Sequence, residues 1–216
     1  MSGAVERLEA EADIRQLVAR YAVCLDRRDL DGLVDLFVPD DVDRPPVVVY
    51  VFGGGYYMGS RHSVAQEPAI WEQLQRGFAV ASIDYRYSSE ALFPAQARDV
   101  SAAICWLRAH GDAFGVDAER IAVSGQSAGG HLATLVAVSA GDDALIDCDT
   151  WEPPLAVIDF FGPTHFDEWT PDDSVVYDQV LDVFGGELDP TRVELASILD
   201  RVDPSDPPMW IAHGDA

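Results

Sequence analysis

The chain has 216 residues, 48% hydrophobic and 24% charged, enough apolar content for one folded core and too much for wholesale disorder. Its 38 acidic residues outweigh 14 basic ones, all arginine, and the net charge of −24 repels phosphate backbones and anionic lipid, which argues against nucleic-acid and membrane partners. No apolar run reaches the roughly 20 residues of a spanning helix, the start MSGAVERLEAEADIRQ lacks a signal-peptide pattern, and Cys24, Cys105 and Cys148, far apart with no CxxC pair, argue against a disulfide framework or zinc site and fit a reducing cytoplasm.

The first 38 residues read as two helices. Ile14, Leu17, Val18, Tyr21, Ala22 and Leu25 form one apolar stripe at helical spacing. Asp29 can cap a second helix carrying Leu30, Leu33, Val34 and Phe37, which Pro39 stops. After Pro45-Pro46 the texture changes to continuous β-branched runs, the mark of strands covered on both faces. These are Val47–Phe52, Phe78–Ile83, Ile121–Ser124, Leu155–Phe161 and Met209–Ala212. Helical patterns separate most of them, at Pro68–Arg76, Pro94–His110, Ala128–Ser139 and Asp189–Asp200. Buried strands alternating with helices predict right-handed βαβ units and a parallel sheet between helix layers. Gly141–Glu152 reads as a loop and Thr164–Gly186 as irregular and acidic. The charge is uneven: residues 141–216 hold 19 acids and 2 arginines, against 8 and 6 in residues 45–140. A solvated acidic face accounts for this, as does adaptation to high salt. A GC-rich genome also removes Lys and Asn, neither of which occurs here.

The strongest chemical signal is Gly125-Gln126-Ser127-Ala128-Gly129, a GxSxG pattern entered by the strand Ile121–Ser124 and left by an Ala/Leu-rich helix. A sharp strand-to-helix turn lifts the Ser127 hydroxyl above the carboxyl end of the sheet and sets it at a helix N-terminus, where the dipole favours developing negative charge. Gly53-Gly54-Gly55 follows the first strand directly. Alone it resembles a phosphate loop, but it lacks the Lys-Ser/Thr of a P-loop and the GxGxxG spacing. With the serine turn it reads as half of an oxyanion hole, with N–H groups from Gly54 and Gly55 on one side and Ala128 on the other. Tyr56, Tyr57 and Met58 line an acyl pocket or pack internally. Trp151 and Trp169 cover the site or anchor the acidic segment.

From about Pro45 onward the stretches VVVYVFGGGYYMGS, GFAVASIDYRYSSEALFPAQARDVSAAICWLRAH, RIAVSGQSAGGHLA, VIDFFGPTHF and PPMWIAHGDA resemble the α/β-hydrolase superfamily, close to hormone-sensitive-lipase-type and feruloyl-esterase-like carboxylesterases. The resemblance implies an α/β fold with a mostly parallel sheet between helix layers, Ser127 as nucleophile, Gly54, Gly55 and Ala128 as oxyanion donors, and no metal or organic cofactor. It also implies that Asp84 and Arg86 tie down loops beside the site. Three departures stand out. Phe52 replaces the histidine that orients the glycine loop. The family's acid would follow His213-Gly214-Asp215-Ala216 and its histidine base would lie further on, so neither is expected among these residues. The family's two leading antiparallel strands are also not seen. Residues 1–40 instead resemble the opening helices of polyketide-cyclase-like α+β cone domains, which places a junction near Val38–Asp43. The implied division is an N-terminal helical segment, 1–43, and a hydrolase core, 44–216, lacking its last strand and helix.

Ser127 needs a base. His131, four residues on in the same helix, is structural by the resemblance, and His62 and His110 read as loop and helix-end residues. His165 and His213, each at the end of a strand on the rim of the site, are the candidates for a substitute base. Asp159, Asp167 and Asp215 are the nearest carboxylates by topology, with no paired histidine. The reading is a serine hydrolase acting on a small-molecule carboxylic ester. The alternatives are a catalytically impaired or silent truncated homologue that binds ligands or protein, or a cyclase-like function of the N-terminal helices. The open sheet edge leaves room for a homo-oligomer.

Overall fold

A computed structural model describes residues 34–166 and 181–214. Six strands form one sheet: β1 (Val34–Phe37), β2 (Pro46–Val51), β3 (Ala79–Ile83), β4 (Asp117–Gln126), β5 (Val157–Phe160) and β6 (Met209–Ala212). Their order is β1-β3-β2-β4-β5-β6, with β1 antiparallel to β3 and every other pairing parallel. The central strands are buried along nearly their whole length because their sequences are apolar on both faces. Helices flank the sheet, among them α1 (Pro68–Gln75), α2 (Ala95–His110), α3 (Ala128–Ala137) and α4 (Pro190–Ala196). All ten residues of α3 are buried, so this apolar helix is core from end to end. The α/β fold expected from the sequence is the one observed.

The strands fall where the apolar runs predict them. β4 starts four residues earlier than expected because Asp117–Arg120 is polar and half exposed, and hydropathy does not mark it. The second expected helix is overturned at Val34–Phe37, which is strand β1, in register with Ile83–Val80 of β3. The spacing of Leu30, Leu33, Val34 and Phe37 fits a helix. In the structure Val34–Phe37 alternates in burial instead, and pairing with the edge of β3 decides against the helix. Asp35 and Phe37 point inward. Thus one antiparallel strand leads into the sheet, and residues 34–43 belong with the core rather than with a separate helical segment. The Ile14–Leu25 helix, the Asp29 cap and most of the cone-like stretch lie outside the described residues.

A second expectation also fails. Cys105 on α2 is joined to Cys148 in the loop after α3 by a disulfide. Spacing along the chain gave no sign of it, because the loop is brought back over α2 by other contacts. Arg98 donates to the Asp143 carbonyl and pairs with Asp147. Arg108 donates to the carbonyls of Glu152 and Pro153. The disulfide removes the inference from unpaired cysteines to a reducing compartment. Among the described residues no helix is long and apolar enough to cross a membrane.

Candidate active site

β4 ends at Gln126 and α3 begins at Ala128, so Ser127 alone makes the turn. Its backbone sits at φ 52°, ψ −124°, a strained conformation for an L-residue. Neighbouring elements hold it there. The Ser127 N–H donates to the Phe160 carbonyl of β5 at 2.8 Å, and the Ser127 carbonyl accepts from the His131 N–H at 3.0 Å. The turn also needs a small residue two places on, since a Cβ at Gly129 would lie 2.1 Å from the Val51 carbonyl oxygen. Ser127 is half-buried at the carboxyl end of the sheet.

The glycine loop follows β2 and lies beside this turn. Gly54 has φ 134°, open only to glycine, and its carbonyl accepts from the N–H groups of Tyr57 and Met58, both at 3.1 Å. Three tyrosines pin the loop. Tyr85 donates its hydroxyl to the Phe52 carbonyl at 3.1 Å and stacks its ring on Phe52 at 4.4 Å. Tyr87 donates to the Gly59 carbonyl. Tyr56 donates to His131 Nδ1 at 2.9 Å. None of these roles was read from the sequence, because each joins segments distant in the chain. The only local signal was the run of tyrosines itself, at positions 56–57 and 85–87.

The N–H groups of Gly54 and Gly55 have no acceptor among the described residues. That of Ala128 belongs to the first turn of α3, where N–H groups lack intrahelical partners. The proposed donors are therefore unspent. Asp84 and Arg86 have the roles expected of loop ties. Asp84 accepts from the Arg61 N–H at 2.6 Å and from its guanidinium, and Arg86 grips Asp99 of α2 through Nε and Nη2, the latter at 2.7 Å. Arg61 also pairs with the buried Asp35 of β1.

His131 is buried in an aromatic cage of Tyr56, Phe93 and Phe166. Its Nε2 lies 2.8 Å from the Ala196 carbonyl, which can only accept, so Nε2 carries the proton and Nδ1 takes the Tyr56 hydroxyl. Burial pushes its pKa down to about 4, and the ring stays neutral and fully engaged. It is a structural histidine. Asp159, on β5 under the start of α3, is fully buried and accepts from the Gly162 N–H at 2.9 Å and from Thr134. Burial raises its pKa, opposed first by the Gly162 hydrogen bond. His165 is half-buried, with Nδ1 3.5 Å from Thr164 Oγ1, and His213 is exposed just past β6. Neither is hydrogen-bonded to Ser127. Asp167, Trp169 and Asp215 lie outside the described residues. Tyr57 and Met58 are exposed on the rim, whereas Tyr56 is core. Among the described residues no cluster of three or more His, Cys, Asp or Glu is gathered as a metal site requires.

A family model, BD-FAE, matches residues 34–216, and the chain belongs to this α/β-hydrolase esterase family. It is 34% identical over 182 residues to Esterase LipC of Mycobacterium tuberculosis, covering 78% of this chain and 43% of that protein. It is 38% identical over 120 residues to Carboxylesterase NlhH of the same species, covering 52% of this chain and 36% of the relative. The solved structure of a truncated form of a carbohydrate esterase from gut microbiota superposes with a TM-score of 0.72 at 29% identity, over 85% of this chain and 71% of that one. The chain spans less than half the length of the curated relatives it matches.

Proposed function

We propose that this chain carries the acyl-transfer machinery of a serine carboxylesterase acting on a small-molecule ester. The observation that carries the reading is the strained Ser127 turn, with unspent N–H donors beside it. Ser127 Oγ attacks the ester carbonyl carbon. The oxyanion of the tetrahedral intermediate takes hydrogen bonds from Gly54, Gly55 and Ala128, reinforced by the α3 dipole. Collapse breaks the ester C–O bond, the alcohol leaves with a proton, and water then releases the acid from Ser127. Relatives named esterase and carboxylesterase support this chemistry. His131 is not the base, since both its ring nitrogens are engaged. His165 and His213, at the carboxyl ends of β5 and β6, are the candidates. Neither bonds to Ser127, so slow acylation by these residues is the expected outcome of the labelling test.

An organophosphonate esterase probe tests the assignment. Ser127 is expected to be labelled slowly, and Ser127→Ala to abolish labelling. Labelling that persists in Ser127→Ala refutes the nucleophile. Loss of ester hydrolysis in His165→Ala or His213→Ala alone identifies the base.

A further inference from the structure

We propose that Glu67 is a positioning residue for the oxyanion loop: its carboxylate fixes the Gln126 side chain, and Gln126 sets how the glycine loop seats on the nucleophile turn. The proposal rests on the reading of Ser127 and the glycine loop given above.

Glu67 stands on a rigid post. Its N–H donates to the Val64 carbonyl, and its own carbonyl accepts from Ile70 and Trp71, closing the start of α1. The turn Arg61–Gln66 before it is anchored to β3 and β1, where Arg61 meets Asp84 and Asp35 and the Arg61 carbonyl accepts from Ser82. From this post Glu67 Oε1 accepts from Gln126 Nε2 at 2.7 Å, across 59 residues of chain. Gln126 is the last residue before Ser127, and Gly53 rests on it. A Cβ at Gly53 would lie 2.7 Å from the Gln126 carbonyl oxygen and 3.3 Å from both Gln126 Cγ and Ser127 Cβ. The glycine loop therefore has no slack above Gln126.

The surroundings explain why the tether matters. Ser124 buries its hydroxyl without a hydrogen-bond partner among the described residues, and the buried Tyr50 hydroxyl lies beside the Glu67 carboxylate. Ser124 lies two residues before Gln126, on the same face of β4, and Tyr50 is its registered neighbour on β2. Buried hydroxyls without partners are costly. A Gln126 carboxamide freed from Glu67 has the Ser124 hydroxyl to turn toward, and its side chain is then no longer fixed beneath Gly53. Burial, then the Glu67 charge and a hydrogen bond to its carboxylate, raise the Tyr50 pKa, which keeps that hydroxyl protonated. The tether thus holds Gln126 against a competing local minimum.

The test uses the full chain and its Glu67→Ala, Glu67→Gln, Gln126→Ala and Glu67→Ala/Gln126→Ala variants, with hydrogen exchange by mass spectrometry on peptides covering residues 52–60. The second readout is the rate of organophosphonate labelling of Ser127. Glu67→Ala and Gln126→Ala should each speed exchange in that peptide several-fold and slow labelling on the order of tenfold, because small misplacements of catalytic groups have large effects on rate. Glu67→Gln keeps an acceptor oxygen for Gln126 and should stay within about twofold of the parent, and the double variant should be no worse than the worse single, as expected for two members of one contact. Unchanged exchange in both single alanine variants overturns the proposal, as does a Glu67→Gln loss equal to that of Glu67→Ala, or an additive double variant. If the parent chain takes no label at all, the reading of Ser127 falls, while the exchange data still decide the role of Glu67. If Glu67→Ala does not fold, Gln126→Ala must carry the same exchange signature or the proposal fails.

Discussion

Removing the Cys105–Cys148 disulfide should lower stability by constraining the unfolded chain less, rather than by loosening the folded one. The two cysteines are 43 residues apart. Chain entropy for a loop of that size gives a stabilisation of about 4 kcal/mol, and native disulfides deliver roughly 2–5 kcal/mol. The folded loop has other anchors. Arg98 and Arg108 hold it from α2, the Asp147 N–H donates to Ser101 Oγ, and Leu145 and Ile146 are buried. The native structure should therefore survive the loss. For a domain of this size each kcal/mol moves the thermal midpoint by about 2–4 °C, so Cys105→Ser/Cys148→Ser should melt roughly 5–15 °C below the parent. The parent in reductant should approach the variant, and the variant should ignore reductant. Thiol titration of the denatured, unreduced parent should find one free cysteine of the three, Cys24, and all three after reduction. Three titratable thiols before reduction, or a double variant that melts with the parent, would refute the argument.

Two further predictions concern charge. His131 is held neutral by burial, with its pKa lowered to about 4 from 6.5. The unfolded chain protonates this ring first as pH falls, so the stabilisation is full above pH 6.5 and is lost between about 6.5 and 4, in total on the order of 3 kcal/mol. Chemical denaturation from pH 7.5 to 4.5 should show a steeper loss for the parent than for His131→Gln, and parallel curves would remove His131 as the cause. The net charge of −24 puts the folded state under self-repulsion, which salt screens as the Debye length falls from ~10 Å at 0.1 M to ~3 Å at 1 M. The thermal midpoint should rise by several degrees between 0.05 and 1 M NaCl, and a flat or falling midpoint would mean that the acidic residues are spread too widely to repel.

What the sequence made legible was what neighbouring residues decide. β2 and β3 announced themselves because both faces are apolar, and β6 was delimited to the residue. The serine turn was readable because GxSxG needs small residues where β2 passes close by. β1 was misread because the spacing of Val34 and Phe37 fits a helix, and the polar Asp35 on the strand's buried face hides the alternation. Only the free edge of β3, paired with Val34–Phe37, resolves the choice. The disulfide and the tyrosine anchors were invisible for a related reason. Cys105 and Cys148, Tyr85 and Phe52, and Glu67 and Gln126 are joined by tertiary folding alone. Such long-range pairs leave no local pattern of residue types.

The replacement of the expected loop histidine by Phe52 shows how the backbone protects the chemistry. A loop that is to stabilise an oxyanion must be held firmly without using the N–H groups that do the work. Phe52 buries its ring against Tyr85, an aromatic contact of about 0.5–1.5 kcal/mol beyond simple burial. Most of the hydrogen-bonded anchors fall on a carbonyl: Tyr85 on Phe52, Tyr57 and Met58 on Gly54, Ser88 on Tyr56, and Tyr87 on Gly59, while Tyr56 reaches out to His131 Nδ1. The N–H groups of Gly54 and Gly55 are left out of this scheme. Tyr85 and Tyr87 reach in from the segment after β3 to two of the loop's carbonyls, and the Gly54 and Gly55 N–H groups have no acceptor among the described residues. A histidine at position 52 supplies one side-chain anchor. Tyr56, Tyr85 and Tyr87 supply three, so the loop is held in place with phenylalanine at that position.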